Sequence, residues 1–131
     1  MRARAGAWLG SWWLRLLGAV GLMMIPILSL IPASMQSRTA LPGSVEHFLG
    51  YAAVATVLVF GSRRAAFPWV VIVVLTVLAA ATELLQFLSP GRNPEIVGVV
   101  GSSLGAAVGA LVAYVARTRL TATASGSSPE G

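Results

Sequence analysis

Cysteine, lysine and aspartate are all missing from the 131 residues, and histidine occurs once. Without cysteine there can be no disulfides and no thiolate metal sites. One His beside four Glu is a poor donor set for zinc, which takes Cys and His first, so neither a metal nor another cofactor is expected. Charge is scarce as well. Only 10% of residues are charged, where a soluble domain carries about 25%, and a water-solvated surface cannot be built from so few. All nine basic residues are Arg, giving a formal net charge of +5. A basic chain reads nucleic acid through Lys/Arg clustered on a polar face or through a reader motif, and neither occurs here. Nucleotide-binding loops, zinc motifs and serine-nucleophile elbows are equally lacking.

What the chain has is apolar residues, 56% of the total, with a mean hydropathy of +0.83. They fall into four runs, at about 12–31, 45–60, 67–88 and 96–116. Roughly 20 apolar residues in a helix cross a bilayer core of about 30 Å. Open sheets would leave unpaired edge groups in lipid, so the fold class is all-α: a polytopic membrane protein with a four-helix bundle. The flank 1–11 precedes the bundle at 12–116, and 117–131, ending in TATASGSSPEG, reads as a disordered tail. Residues 12–31 are too long for an ordinary signal core, and the IPASMQ that follows has no A-x-A cleavage signature, so they are expected to stay as an anchor. Arg2, Arg4, Arg63, Arg64, Arg117 and Arg119 flank one side of the predicted membrane, against Arg38 and Arg92 on the other. The positive-inside rule then places both termini in the cytoplasm, and Trp8, Trp12, Trp13 and Trp69 fall near the inner interface.

With that topology the polar residues converge on the outer side. The second run enters at Glu46 and His47, the third leaves after Glu83 and Gln86, and the last outer loop carries Arg92 and Glu95. His47 and Tyr51 are four apart and share a helix face; Thr76, Ala79, Glu83, Gln86 and Pro90 form one stripe of the third helix. Glu83 lies about 8 Å below the end of its span, where a lone carboxylate is costly. It should be protonated, or paired with His47 or Arg92. Two readings stay open. In one, His47, Tyr51, Glu83 and Gln86 are an interhelical hydrogen-bonded clamp. In the other, they and Arg92 form a binding or catalytic site, with His47 exchanging protons and Arg92 clamping an anion. Glu46 reads as an interfacial charge and Glu95 as the start of the fourth helix, where a carboxylate suits the N-terminal dipole. Gly98, Gly101, Gly105 and Gly109 line one side of that helix, the last three at G-x-x-x-G spacing, and should pack against a neighbouring span of this or another chain.

The H-F-x-x-Y of His47, Phe48 and Tyr51, the E-L-L-Q-F of 83–87, the P-G-R of 90–92 and the L-G-x-x-x-G of 104–109 together resemble the VanZ-like membrane proteins. Order and spacing fit over roughly residues 40–115. The resemblance implies a small multi-span protein of the bacterial plasma membrane, acting in the cell envelope. The name-giving member is associated with resistance to the glycopeptide teicoplanin. It implies no defined chemical activity. Three departures stand out: the family's Asp-Lys pair before the His is Gly43 and Ser44 here, and its later Asp and Asn are Gly98 and Ser102. The leading expectation is a non-catalytic envelope protein with an outward-facing polar site, whose candidate partners beyond membrane lipids are a lipid-linked envelope precursor, a glycopeptide or another membrane protein. The rivals are a membrane enzyme acting on a lipid or precursor head group, with His47 as base, Glu83 orienting it and Arg92 holding the substrate, and a structural or oligomeric module built on the glycine face.

Overall fold

A computed structural model describes residues 11–35, 40–62, 67–91 and 94–125. They form four long helices: α1 (Trp12–Leu30), α2 (Gly43–Gly61), α3 (Phe67–Leu85) and α4 (Ile96–Ser125). Short 3-10 turns follow α1 at Ala33–Met35 and extend α3 at Gln86–Leu88. All four helices are long and apolar enough to cross a membrane. The surface agrees: Val73, Val77, Leu104 and Val112 are more than half exposed along the flanks of the helices. So much outward apolar area is tolerable only where the solvent is lipid.

The helices run alternately up and down, and the glycines fix their registers. Residue numbers fall along α2 as they rise along α1: Leu14 backs Gly61, Gly18 backs Leu58 and Gly21 backs Val54. Between α2 and α4 the numbers rise together. Gly101 faces Ser44, Gly105 faces Phe48 and Gly109 faces Ala52, always 57 positions on, so these two helices are parallel. A Cβ on any of the three would strike the facing backbone carbonyl. The glycine face therefore meets a span of the same chain, with backbones in direct contact. Thr56 seals the seam, its hydroxyl donating both to Ala52 O (2.8 Å) and across to Gly109 O (3.2 Å). Close approach leaves little volume to fill, and the core is correspondingly small-sided: Ala106, Ala110 and Ala113 of α4 meet Tyr51, Ala55 and Val59 of α2 and Val71, Leu75 and Ala79 of α3.

Two departures from the sequence expectations have simple causes. The buried stripe of α3 runs Val71, Leu75, Ala79, Thr82 and Gln86, while Thr76 and Glu83 stand half-buried at its margin. Thr82 can turn inward because its hydroxyl is satisfied locally, by Leu78 O and Ala79 O. The expected tail does not begin at 117: α4 continues to Ser125. The segment RTRLTATA holds no Gly or Pro to stop a helix. Thr118, Thr121 and Thr123 turn their hydroxyls back onto its own carbonyls. Residues 126–131 lie outside the described residues.

At the end of the bundle where α2 stops, its last carbonyls are claimed by arginines from both neighbours. Arg15 Nε of α1 donates to Gly61 O and Arg117 of α4 donates to Val59 O, each at 3.2 Å. Gly61 O is among the carbonyls that a helix end leaves open, Val59 O already accepts the Ser62 N–H at 3.2 Å and takes Arg117 as a second donor, and both lie at the negative end of the dipole, which favours a guanidinium. Replacing Arg15 or Arg117 by Gln should each lower stability by about 1 kcal/mol. The double variant should show roughly the sum, read as melting temperature in detergent. Equal melting of Arg117→Gln and the parent would show that the carbonyls find other donors.

Candidate binding cleft

At the opposite end of the bundle the helices part around a cleft of about 670 Å³. Its lining draws on every helix: Ile25, Leu28 and Ser29 from α1; Ser44, Glu46, His47 and Tyr51 from α2; Glu83 and Gln86 from the end of α3; Glu95 and Gly98 from the start of α4. The end of α3 is shaped for this. After Leu85 the helix tightens into the 3-10 turn, and Ser89 Oγ ties that turn to Leu30 O of α1 at 3.0 Å. Gly91 then takes a φ of 75°, which reverses the chain toward α4 and suits a residue without Cβ.

Glu83 has a definite job in this arrangement. Its Oε1 accepts the backbone N–H of Glu95 at 2.6 Å, one of the donors that a helix start leaves open. A carboxylate there also meets the positive end of the α4 dipole. So α3 caps α4, and Gly98 makes room for it: a Cβ at position 98 would come within 2.9 Å of the same Oε1. Glu95, placed by sequence at the start of the fourth helix, stands next to its first residue, Ile96.

Four of the five residues singled out from the sequence, His47, Tyr51, Glu83 and Gln86, thus share one cleft. The fifth, Arg92, lies outside the described residues. Sharing the cleft does not make His47 and Glu83 a pair. No hydrogen bond or ion pair joins them among the described residues, and half of the carboxylate is committed to α4. The interhelical bond that Glu83 does make goes to the backbone of the next helix, not to His47, Tyr51 or Gln86.

Tyr51 and Gln86 are the most enclosed polar residues of the lining, 2% and 3% exposed. The Tyr51 hydroxyl has the Thr82 and Ser102 hydroxyls beside it, Gln86 Nε2 has no hydrogen-bond partner among the described residues, and both atoms are closed off from the open part of the cleft. A buried polar atom left open costs about 1 to 3 kcal/mol, so Gln86 and Tyr51 mark a polar patch inside the bundle that is expensive to leave unpaired. Sequence reasoning missed the contribution of α1. Ser29, buried and four residues after Ile25, was the available sign: the one polar side chain of α1 after Arg15. It also gave Thr82 no place in the site.

Compared with family models, curated proteins and solved structures, the chain matches none.

Proposed function

We propose that this protein is a four-span, VanZ-like protein of the bacterial plasma membrane that acts in the cell envelope by holding a polar ligand in its cleft, without catalysis. The observation that carries this reading is the cleft of about 670 Å³ in which Ser44 and His47 of α2, Glu83 of α3 and Glu95 before α4 come together at one end of an otherwise apolar bundle. Ionisable side chains gathered in a cavity between membrane helices point to a ligand or ion site. The four VanZ-like motifs support the envelope role, since three of them contribute to or border this end of the bundle. The departure at Gly98 is compensated locally. Where the family carries Asp, a side chain would collide with the Glu83 carboxylate, which here approaches α4 in its place. Against catalysis speaks the engagement of one Glu83 oxygen with the Glu95 amide, with no hydrogen bond joining Glu83 to His47 among the described residues.

The arginine bias sets the cleft facing outward, with both termini in the cytoplasm. A single cysteine at Ala40 should react with an impermeant maleimide on intact cells, and one at Thr121 only after lysis. The reverse pattern would turn the cleft to the cytoplasm and remove the envelope role. Function itself is read in a susceptible bacterial host. Expression of the parent should raise the teicoplanin concentration needed to stop growth, and Gln86→Leu, produced at equal level, should not. An unchanged inhibitory concentration with the parent would sink the resistance role.

A further inference from the structure

Acid and base are segregated along the bundle. Glu46, Glu83 and Glu95 stand at the cleft end, and Glu130, the last of the four glutamates, lies outside the described residues. At the other end Arg15 of α1 and Arg117 of α4 donate to Gly61 O and Val59 O, the closing carbonyls of α2. Each bond takes one of the five N–H groups of a guanidinium and leaves its charge in place. Register fixes the depth of these charges. Gly61 lies against the backbone of Leu14 and Arg15, so Arg15 is level with the end of α2. The α2–α4 pairing of Ser44 with Gly101 and Ala52 with Gly109, carried on to Gly61, reaches Thr118. Arg117 and Arg119 therefore bracket the same level. The 19 residues of α2 span about 28 Å, close to a hydrocarbon core of about 30 Å, and the head-group layer beyond is about 5 to 8 Å deep. The three arginines stand where that layer begins, and α4 passes on through it as 119–125, about 10 Å past α2. Trp12, Trp13 and Trp69 are 59%, 60% and 64% exposed at the same end, as in an interfacial aromatic belt.

We propose that Arg15, Arg117 and Arg119 form a basic collar that binds anionic phospholipids in the leaflet at this end of the bundle. Every phospholipid carries a phosphate, so selection acts on net charge: the collar attracts a head group whose phosphate is not offset by its own ammonium. The occupant is a lipid and not a dissolved anion because apolar surface adjoins the charge. Leu16, next to Arg15, is 52% exposed, and Val115, one turn from Arg119 toward the middle of the bundle, is 46% exposed. Both offer an acyl chain a place directly inward of the arginines. The collar lies opposite the cleft and stands whether or not the cleft holds a ligand.

The test uses the full chain purified in detergent and titrated with lipid, with binding followed by native mass spectrometry and by melting temperature. Phosphatidylglycerol should bind about ten-fold tighter than phosphatidylcholine, an attraction shared among three partly screened guanidinia. In about 1 M salt, where the Debye length is about 3 Å, most of that preference should vanish from the melting data. Arg119→Gln leaves both bonds to α2 in place and should halve the preference, roughly, without lowering the melting temperature of the lipid-free protein. Changing all three arginines to Gln should bring the two lipids close to equal, whereas changing all three to Lys should keep the preference, which separates charge from the capping of α2. Arg63 and Arg64, outside the described residues, stay unchanged in every variant. Phosphatidylcholine binding as tightly as phosphatidylglycerol would overturn the proposal. So would an unaltered preference in Arg119→Gln or in the triple Gln variant. Inorganic phosphate competing as well as the lipid would overturn the lipid source in favour of a free anion. Gln86→Leu should keep the preference; its loss there would move the lipid to the cleft and remove the collar.

Discussion

Replacing Gly105 by leucine should leave little folded protein. The position sits mid-seam between α2 and α4, and a Cβ there would meet the Phe48 carbonyl and come within 2.9 Å of Phe48 Cα. All of these are backbone atoms, which cannot rotate aside. Overpacking against side chains costs about 1 to 3 kcal/mol, because neighbours yield. Here the helices themselves must separate, and the adjoining contacts of Gly101 with Ser44 and of Gly109 with Ala52 would open too. Against a total stability of about 5 to 15 kcal/mol that is a large fraction. Gly50→Ala is the control. A Cβ at Gly50 has nothing within 4 Å, and alanine improves helix propensity by about 1 kcal/mol, so this variant should melt no lower than the parent. Monodisperse Gly105→Leu protein with an unchanged melting temperature would mean that α2 and α4 do not touch backbone to backbone.

The glycine spacing was readable in advance because a G-x-x-x-G repeat has one strong physical meaning in a membrane helix. Which helix it would meet was not readable. Any of the other three spans presents small residues, and only the three-dimensional register shows Ser44, Phe48 and Ala52 opposite the glycines. The four spans were legible for a similar reason, since continuous apolar runs need no partner to be recognised. The tail was harder. Its polar residues suggested exposure, which is right for Arg119 and Thr121, but exposure does not decide whether a helix stops, and α4 passes through both. The site was half legible. Helical spacing brought His47 with Tyr51 and Glu83 with Gln86, whereas the choice of Thr82 over Thr76 for the buried stripe turns on a few tens of degrees of rotation. Pairing Glu83 with a side chain was the natural expectation from sequence. Nothing in the sequence distinguishes a carboxylate that binds a side chain from one that binds the main chain of the next helix, because backbone amides carry no residue-specific sign.

That distinction makes Glu83 the second site of large effect, and Gln and Leu there should part company. Glu83→Gln keeps an oxygen that can accept the Glu95 N–H, so the cap survives and only the charge beside the α4 dipole is lost, worth about 0.3 to 1 kcal/mol. Glu83→Leu removes the acceptor. The Glu95 amide, at the exposed mouth of the cleft, then turns to water, and the loss is that of the capping bond together with the charge beside the α4 dipole, about 0.5 to 2 kcal/mol. The Leu variant should therefore melt clearly lower than the parent, and the amides at the start of α4 should exchange with deuterium faster while those at mid-helix, near Ala110, stay protected. In the Gln variant both readouts should remain near the parent's. Function separates the remaining possibilities. A Gln variant that folds normally yet loses ligand binding assigns Glu83's charge to the ligand as well as to α4, whereas one that folds and binds confines the residue to capping. If Leu is tolerated with the start of α4 still protected, the bond from Glu83 to α4 does not hold that helix, and the carboxylate is free to serve the cleft alone.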